Sequence, residues 1–302
     1  MAAAAETGRF AADQATRLLD RLALRVSAAR HSPDEKAVHD LRVAIRRLTQ
    51  SLVVLKPCFV SKEVKKIRRS LNGLMTLAGD VRDHDIALEC LSKMDGPDIS
   101  ALDDEFSRRR HAAEKTLIAA LNDWVNRKFS AKWRDRLQSG REAGGFTRRA
   151  TDVTARRELP RVAARFFRCG DRAAGTSTSA AELHQFRIAA KKLRYTIELF
   201  AASYGPAADR WLEQVAAIQS SLGRVNDCRT VRSLLQEIGG NKSLDAVLKK
   251  RQRRKTVEFQ RLWAAEFGQA TAVKNWMRAL RRSPRKPAGR SDTVTNRVAI
   301  AG

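Results

Sequence analysis

The sequence predicts an all-α protein built from two related halves, and three observations carry that expectation. Ala, Leu, Arg and Lys are abundant while prolines number seven and tyrosines two, a composition that favours helix. Apolar residues recur at three- and four-residue spacing, with no alternating run of the kind a half-buried strand needs. Finally, the landmarks repeat. His39-Asp-Leu-Arg-Val-Ala-Ile-Arg-Arg-Leu48 returns as His184-Gln-Phe-Arg-Ile-Ala-Ala-Lys-Lys-Leu193, 145 residues on, and Gly79-Asp-Val-Arg-Asp83 returns as Gly223-Arg-Val-Asn-Asp227, 144 residues on. Two landmarks that keep register to within one residue point to an internal repeat.

The helical stripes follow in order. Leu18, Leu19, Leu22 and Val26 share one face, then Leu41, Ile45, Leu48, Leu52 and Leu55. Val64, Ile67, Leu71 and Leu74 come next, followed by Phe106, Ala113, Leu117, Leu121 and Trp124. Each half is therefore expected to be a bundle of about four long antiparallel helices. The first spans 10–137, a Gly-rich linker 138–145 follows, and the second spans 146–277. Gly79 and Gly223 read as helix ends, with a following Asp free to cap the next helix. Beyond Met277, the segment 278–302 is rich in Arg, Pro, Ser and Thr and is expected to be a basic, disordered tail.

Charge bounds the partners. Fifty-nine Lys and Arg against thirty-three Asp and Glu leave a net charge of +26 and a pI near 11, which suits nucleic acid, an anionic membrane surface or another phosphate-rich polymer. No apolar run approaches the roughly 18 to 20 residues of a membrane span, and Met1–Glu6 lacks the order of a signal peptide. A cytoplasmic protein is the resulting expectation. The four cysteines, Cys58, Cys90, Cys169 and Cys228, stand singly, so neither a disulfide framework nor a zinc site is expected.

A helical wheel places His39, Arg42, Arg46 and Gln50 within an arc of about 80°, opposite Leu41, Ile45, Leu48 and Leu52. In the second copy His184, Arg187, Lys191, Arg194 and Tyr195 share a face, with Phe186, Leu193 and Ile197 behind. Further basic stripes appear at Lys62, Lys65, Lys66 and Arg69, at Arg108, His111 and Lys115, and at Lys249 and Arg253. Charged stripes are commonly solvated helix faces. Here, however, few acidic residues are interleaved, and collecting like charges on one face costs stability unless an anion neutralises them. Arg suits phosphate through its planar fork and Lys through a mobile point charge. The two histidines either bind phosphate or orient the first turn of their helices. No carboxylate or second histidine lies one turn away on the same face, so no metal is expected there.

Two other functions compete. His39-Asp40 and His84-Asp85 resemble the His-Asp pairs of metal-dependent phosphohydrolases, but their counterparts are His184-Gln185 and Cys228-Arg229. The cations persist while the carboxylates vanish, which favours binding over metal catalysis. RNA or DNA binding is the stronger competitor. Against it, aromatic residues fall mostly on packing faces, leaving Tyr195 as the exception for base stacking, and no nucleic-acid signature appears.

The pattern His-x-x-Arg-x-x-x-Arg-Arg-Leu, repeated as His-x-x-Arg-x-x-x-Lys-Lys-Leu-Arg-Tyr, resembles the CHAD domain, the conserved histidine α-helical domain. The likeness covers about residues 10 to 277 and is strongest over 183–200, with Leu222-Gly-Arg-Val-Asn-Asp227 in support. The resemblance implies two pseudo-symmetric four-helix bundles that bind inorganic polyphosphate on basic surfaces around a central groove. By position it reaches His39, Arg42, Arg46 and Arg47 in the first half and His184, Arg187, Lys191, Lys192 and Arg194 in the second. Thr49 departs from the pattern where the second copy has Arg194, and Ala78-Gly79 stands where the second copy has Leu222-Gly223. Many relatives carry a triphosphate-processing domain on the same chain. None is legible here, so polyphosphate binding without catalysis is expected, with no cofactor and with association with intracellular polyphosphate granules as one use of that binding.

Overall fold

A computed structural model describes residues 2–94, 99–138 and 148–282. The first half supplies α1 (Ala2–His31), α2 (Glu35–Val54), α3 (Ser61–Leu91), α4 (Ile99–Asn126) and the short α5 (Phe129–Gln138). The second supplies α6 (Arg148–Ala173), α7 (Ala180–Tyr204), α8 (Pro206–Glu237), α9 (Lys242–Phe267) and the short α10 (Ala270–Arg281). No strand occurs among the described residues, which supply four long α-helices and one short α-helix in each half, with a 3-10 turn at Lys56–Cys58, so the protein is all-α.

Polar side chains set several of the helix starts. Asp34 accepts a 2.7 Å bond from the Ala37 amide ahead of α2, and Asn241 accepts one of 2.9 Å from Leu244 ahead of α9. Ser179 and Glu182 bond reciprocally, at 3.2 and 2.8 Å, as a capping box for α7. At the other end of α7 the chain turns on Gly205, whose φ of 54° L side chains rarely adopt, and Pro206 opens α8 where its missing N–H has no partner to lose.

The apolar stripes face inward as expected. Leu19, Leu22, Val26, Leu41, Leu48, Leu52, Ile67, Leu71, Leu117, Leu121, Phe186 and Leu193 are all completely buried. The larger core runs without interruption from Phe10 in α1 to Leu280 in α10, so the halves share one interior. A smaller core of Ile86, Ala87, Leu91, Val231, Leu234 and Leu235, with Phe106, Leu244 and Leu248, joins α3 and α8 and the helices that follow them. Helix α2 packs on α7, α3 on α8 and α1 on α6. Both copies of the histidine motif and both copies of the glycine motif thereby meet in the middle of the molecule.

Two expectations change. Gly79 and Gly223 do not end helices but lie inside α3 and α8. At Gly79 the reason is close approach: a Cβ there would stand 2.9 Å from Arg42 Nη1. The tail also begins later than expected, because Arg278–Arg281 complete α10 and Leu280 is fully buried in the core. The amphipathic period of this short helix continues past Met277, and the basic composition concealed it. Residues 283–302 lie outside the described residues, as does the expected linker apart from Gln138, the last residue of α5.

Candidate polyanion-binding site

Helices α2 and α7 carry the two histidine motifs and place their cations in one electrostatic cluster. The guanidinium of Arg42 is held down to about 10, first by burial, then by Arg46, with Arg187 and Arg82 adding to the effect. Arg187 is lowered by burial and then by Arg46. Lys191 is lowered furthest, from 10.5 to about 6, by burial and then by Arg46, Arg187 and Arg42 in turn. These directions describe one geometry: Arg42, Arg187 and Lys191, from two helices, are taken out of water within the field of Arg46, which disfavours the charge of each. Arg42 Nη1 is moreover buried without a hydrogen-bond partner, which leaves an unmet donor in the cluster.

The glycine motifs supply the acidic base of this cluster from α3 and α8. Burial raises Asp83, which Arg42 then pulls back, and burial raises Asp227, which Arg187 pulls back. Two acids against the three guanidinium groups of Arg42, Arg46 and Arg187, with Lys191 beside them, leave the cluster positive. Arg82 reaches Glu35 at 2.5 Å and lies in the field of His39. The His39 imidazole is lowered by partial burial and then by Arg82, and that of His184 by partial burial and then by Arg229. Both histidines stand on exposed positions near the start of their helices, at the rim of the cluster, where a neutral ring offers one donor and one acceptor nitrogen.

Other expected site residues have different surroundings. Arg47 Nε donates to Glu198 at 2.7 Å and Arg194 Nε to the same carboxylate at 3.0 Å, while Gln50 donates to Thr196 at 2.9 Å in a buried contact. The Arg47 and Gln50 bonds clamp α2 against α7, and the Arg194 bond, one turn along α7, holds Glu198 in place for Arg47. The interaction with Glu198 holds Arg47 above its ordinary value against the opposing effect of burial. Replacing Glu198 by Gln is expected to destabilise the fold by about 1–2 kcal/mol, a figure discounted for the partial exposure of both arginines. Urea unfolding with and without the substitution measures it, and polyanion affinity should change little.

Tyr195 lies between these groups, within the field of both Arg47 and Arg187. Lys192 is exposed and belongs to a separate neighbourhood with Arg165 and Arg68. Lys62, Lys65, Lys66 and Arg69 are exposed on the opening turns of α3. The seventeen residues from Lys66 to Asp83 put them about 26 Å along the axis from the cluster. Lys66 there pairs with Glu63 at 3.1 Å. On α4, Arg108 pairs with Glu105, and His111 and Lys115 are exposed. Lys249 and Arg253 are exposed on α9, and it is Arg251 and Lys255 that line the pocket next to Asp227. The wheel identifies a charged face correctly but not which faces converge.

Arg82, Asp83 and Asp227 are the members of the cluster that sequence reasoning missed. The signal was present, since Asp83 and Asp227 are the matching last residues of the repeated glycine motif. Reading that motif as a helix end separates them from the cations they oppose. The His-Asp pairs are engaged elsewhere: Asp40 pairs with Arg25 at 3.1 Å, and Asp85 with Arg110 at 2.8 Å. No group of three or more metal-ligating side chains is assembled among the described residues. No described helix is long and apolar enough to cross a membrane.

Similarity to known proteins agrees with this architecture. The CHAD domain family matches residues 13–236. The chain is similar to the crystal structure of the CHAD domain from the plant Ricinus communis, with a TM-score of 0.65 and 22% identity over 94% of this chain and 96% of that one. It is also similar to PptA from Streptomyces chartreusis, with a TM-score of 0.57 and 15% identity over 85% of this chain and 98% of that one. No curated protein sequence matches the chain. With 224 of its 302 residues inside the matched span, this chain belongs to the CHAD domain family.

Proposed function

We propose that the protein binds inorganic polyphosphate through Arg42, Arg46, Arg187 and Lys191, without catalysis. The observation that carries this reading is the convergence of cations from α2 and α7, with Arg42, Arg187 and Lys191 drawn out of water within the field of Arg46. A fold gains nothing from such an arrangement unless an anion completes it. A linear polymer with one charge per phosphate and no bases suits a cluster built from Arg and Lys side chains. Arg forks and the Lys191 ammonium would take non-bridging oxygens, with His39 and His184 at the rim. The engagement of Asp40 and Asp85 in ion pairs speaks against their use as metal ligands. Action in the cytoplasm, at polyphosphate granules, is where this binding would be used.

The test is competition: long-chain polyphosphate is titrated at physiological salt against single-stranded RNA and duplex DNA at equal phosphate. Preference for polyphosphate supports the reading, and preference for RNA would overturn it. Affinity should also fall as pH rises above about 6, by up to tenfold per unit, until the pKa of Lys191 in the complex is reached. The free ammonium loses its proton near pH 6, and the bound anion favours the protonated form, so binding takes up a proton. Calorimetry in two buffers of different ionisation enthalpy reads that uptake directly. Lys191→Arg should remove most of it.

A further inference from the structure

Beside the cationic cluster lies a pocket of about 250 Å³ walled by Ile86, Glu89, Cys90 and Lys93 of α3, by Arg224, Asp227, Cys228 and Val231 of α8, and by Arg251 and Lys255 of α9. Two of the four cysteines of the chain, one from each half, thus face the same small space. Their relative level follows from how the helices run. Asp80 feels Glu237, while Asp227 feels Glu89, so α8 descends as α3 ascends. In that antiparallel order Cys90 and Cys228 line the same pocket from facing helices, and Cys90 acts electrostatically on Cys228. The helices meet through Ala87, Leu91, Val231 and Leu235 in the smaller core, and the small Ala87 side chain permits close approach of the axes.

We infer that Cys90 and Cys228 are a dithiol site at which a hydroperoxide forms a disulfide between the two halves of the chain. The exposed Glu89, Lys93 and Arg224 at the pocket wall admit a molecule of that size. Cys90 is the more exposed of the two and is the first to react. Burial keeps its thiol above the ordinary value, while Arg251 and Lys93 favour the thiolate, so the site needs excess oxidant and stays reduced without it. The Cys90 thiolate attacks the O–O bond. An S–O bond forms, the O–O bond breaks, and the leaving oxygen departs as water after protonation. The Cys228 thiolate then attacks the sulfenic sulfur; an S–S bond forms, the S–O bond breaks, and a second water leaves. Two thiols and hydrogen peroxide give one disulfide and two waters, with two electrons passing from sulfur to the peroxide. Cys228 and Cys90 also feel one another electrostatically, in keeping with this proximity.

This inference does not depend on the polyphosphate reading. Its sequence signal is weak because the cysteines lie 138 residues apart and meet only through the α3–α8 contact. The test treats the intact protein with hydrogen peroxide and maps peptides without reduction. The expected result is loss of two thiols, a cross-linked peptide joining Cys90 to Cys228 that dithiothreitol reverses, and a thermal midpoint raised by on the order of 5 °C through closure of a long loop. Neither Cys90→Ser nor Cys228→Ser should give the cross-link. Oxidation of the two cysteines to separate sulfinic acids, cross-links only between molecules, or reaction confined to Cys58 and Cys169 would each overturn the assignment.

Discussion

Replacing Arg187 and Lys191 together by Ala is expected to weaken polyphosphate binding by on the order of 100-fold at physiological salt, as two charge-assisted contacts are lost. The dependence of affinity on salt should flatten by about one unit of slope for each cation removed, since fewer counterions are released. What separates this outcome from simple unfolding is the opposite response of stability. Lys191 holds a folded value of about 6 against an ordinary 10.5, so between those values the unfolded chain binds more protons than the folded one. Stability then rises with pH from about 6 toward 10.5, and near pH 7 the lysine opposes folding. The volume-keeping Lys191→Met should therefore raise the thermal midpoint and remove that pH slope while still weakening binding. Thermal unfolding at pH 6, 7.5 and 9 beside fluorescence titration with polyphosphate checks both signs. Lower stability together with unchanged affinity would mean that these positions serve the fold alone.

A second large effect is expected far from the cations. Phe166 is completely buried, and its ring lies 5.1 Å from Phe186, 5.3 Å from Phe167, 5.4 Å from Trp263 and 5.9 Å from Phe267, centroid to centroid. It thereby joins α6, α7 and α9. Phe166→Ala should cost about 3–5 kcal/mol, combining lost transfer energy with the cavity left among rings that cannot collapse into it. Urea unfolding followed by tryptophan fluorescence measures this, because Trp263 is part of the same cluster. At low temperature, where the variant remains folded, its polyphosphate affinity should match that of the parent. Loss of affinity without loss of stability would tie this cluster to the site instead.

Much of this protein was legible in one dimension. Helical periodicity identified Leu41, Ile45, Leu48 and Leu52 as a packing face, and all four are buried in α2, because a face inaccessible to water must be apolar at the period of the helix. The histidine motif and its second copy marked Arg42, Arg46, Arg187 and Lys191 for the same reason in reverse, since the face opposite the packing stripe carries the charge. Similar local logic failed at Gly79. A glycine beside an Asp has the same local signature whether it ends a helix or clears space for a neighbour, and only the arrival of Arg42 from α2 decided between them.

The tertiary structure alone decided which charged faces work together. Arg47 and Arg194 have the same residue type as Arg42, Arg46 and Arg187, but both turn to Glu198, Arg47 across the α2–α7 contact and Arg194 from one turn away on α7 itself. Lys62 and Lys66 make as good a stripe as any, and the length of α3 carries them to the other end of the molecule. Convergence depends on how helices cross, and crossing is set by side-chain packing between residues more than a hundred positions apart. The sequence by itself therefore determined the fold class, the buried faces and the chemistry available to a ligand. Which cations share one low-dielectric space, and which acids and thiols lie beside them, was settled only when α2, α3, α7 and α8 packed together.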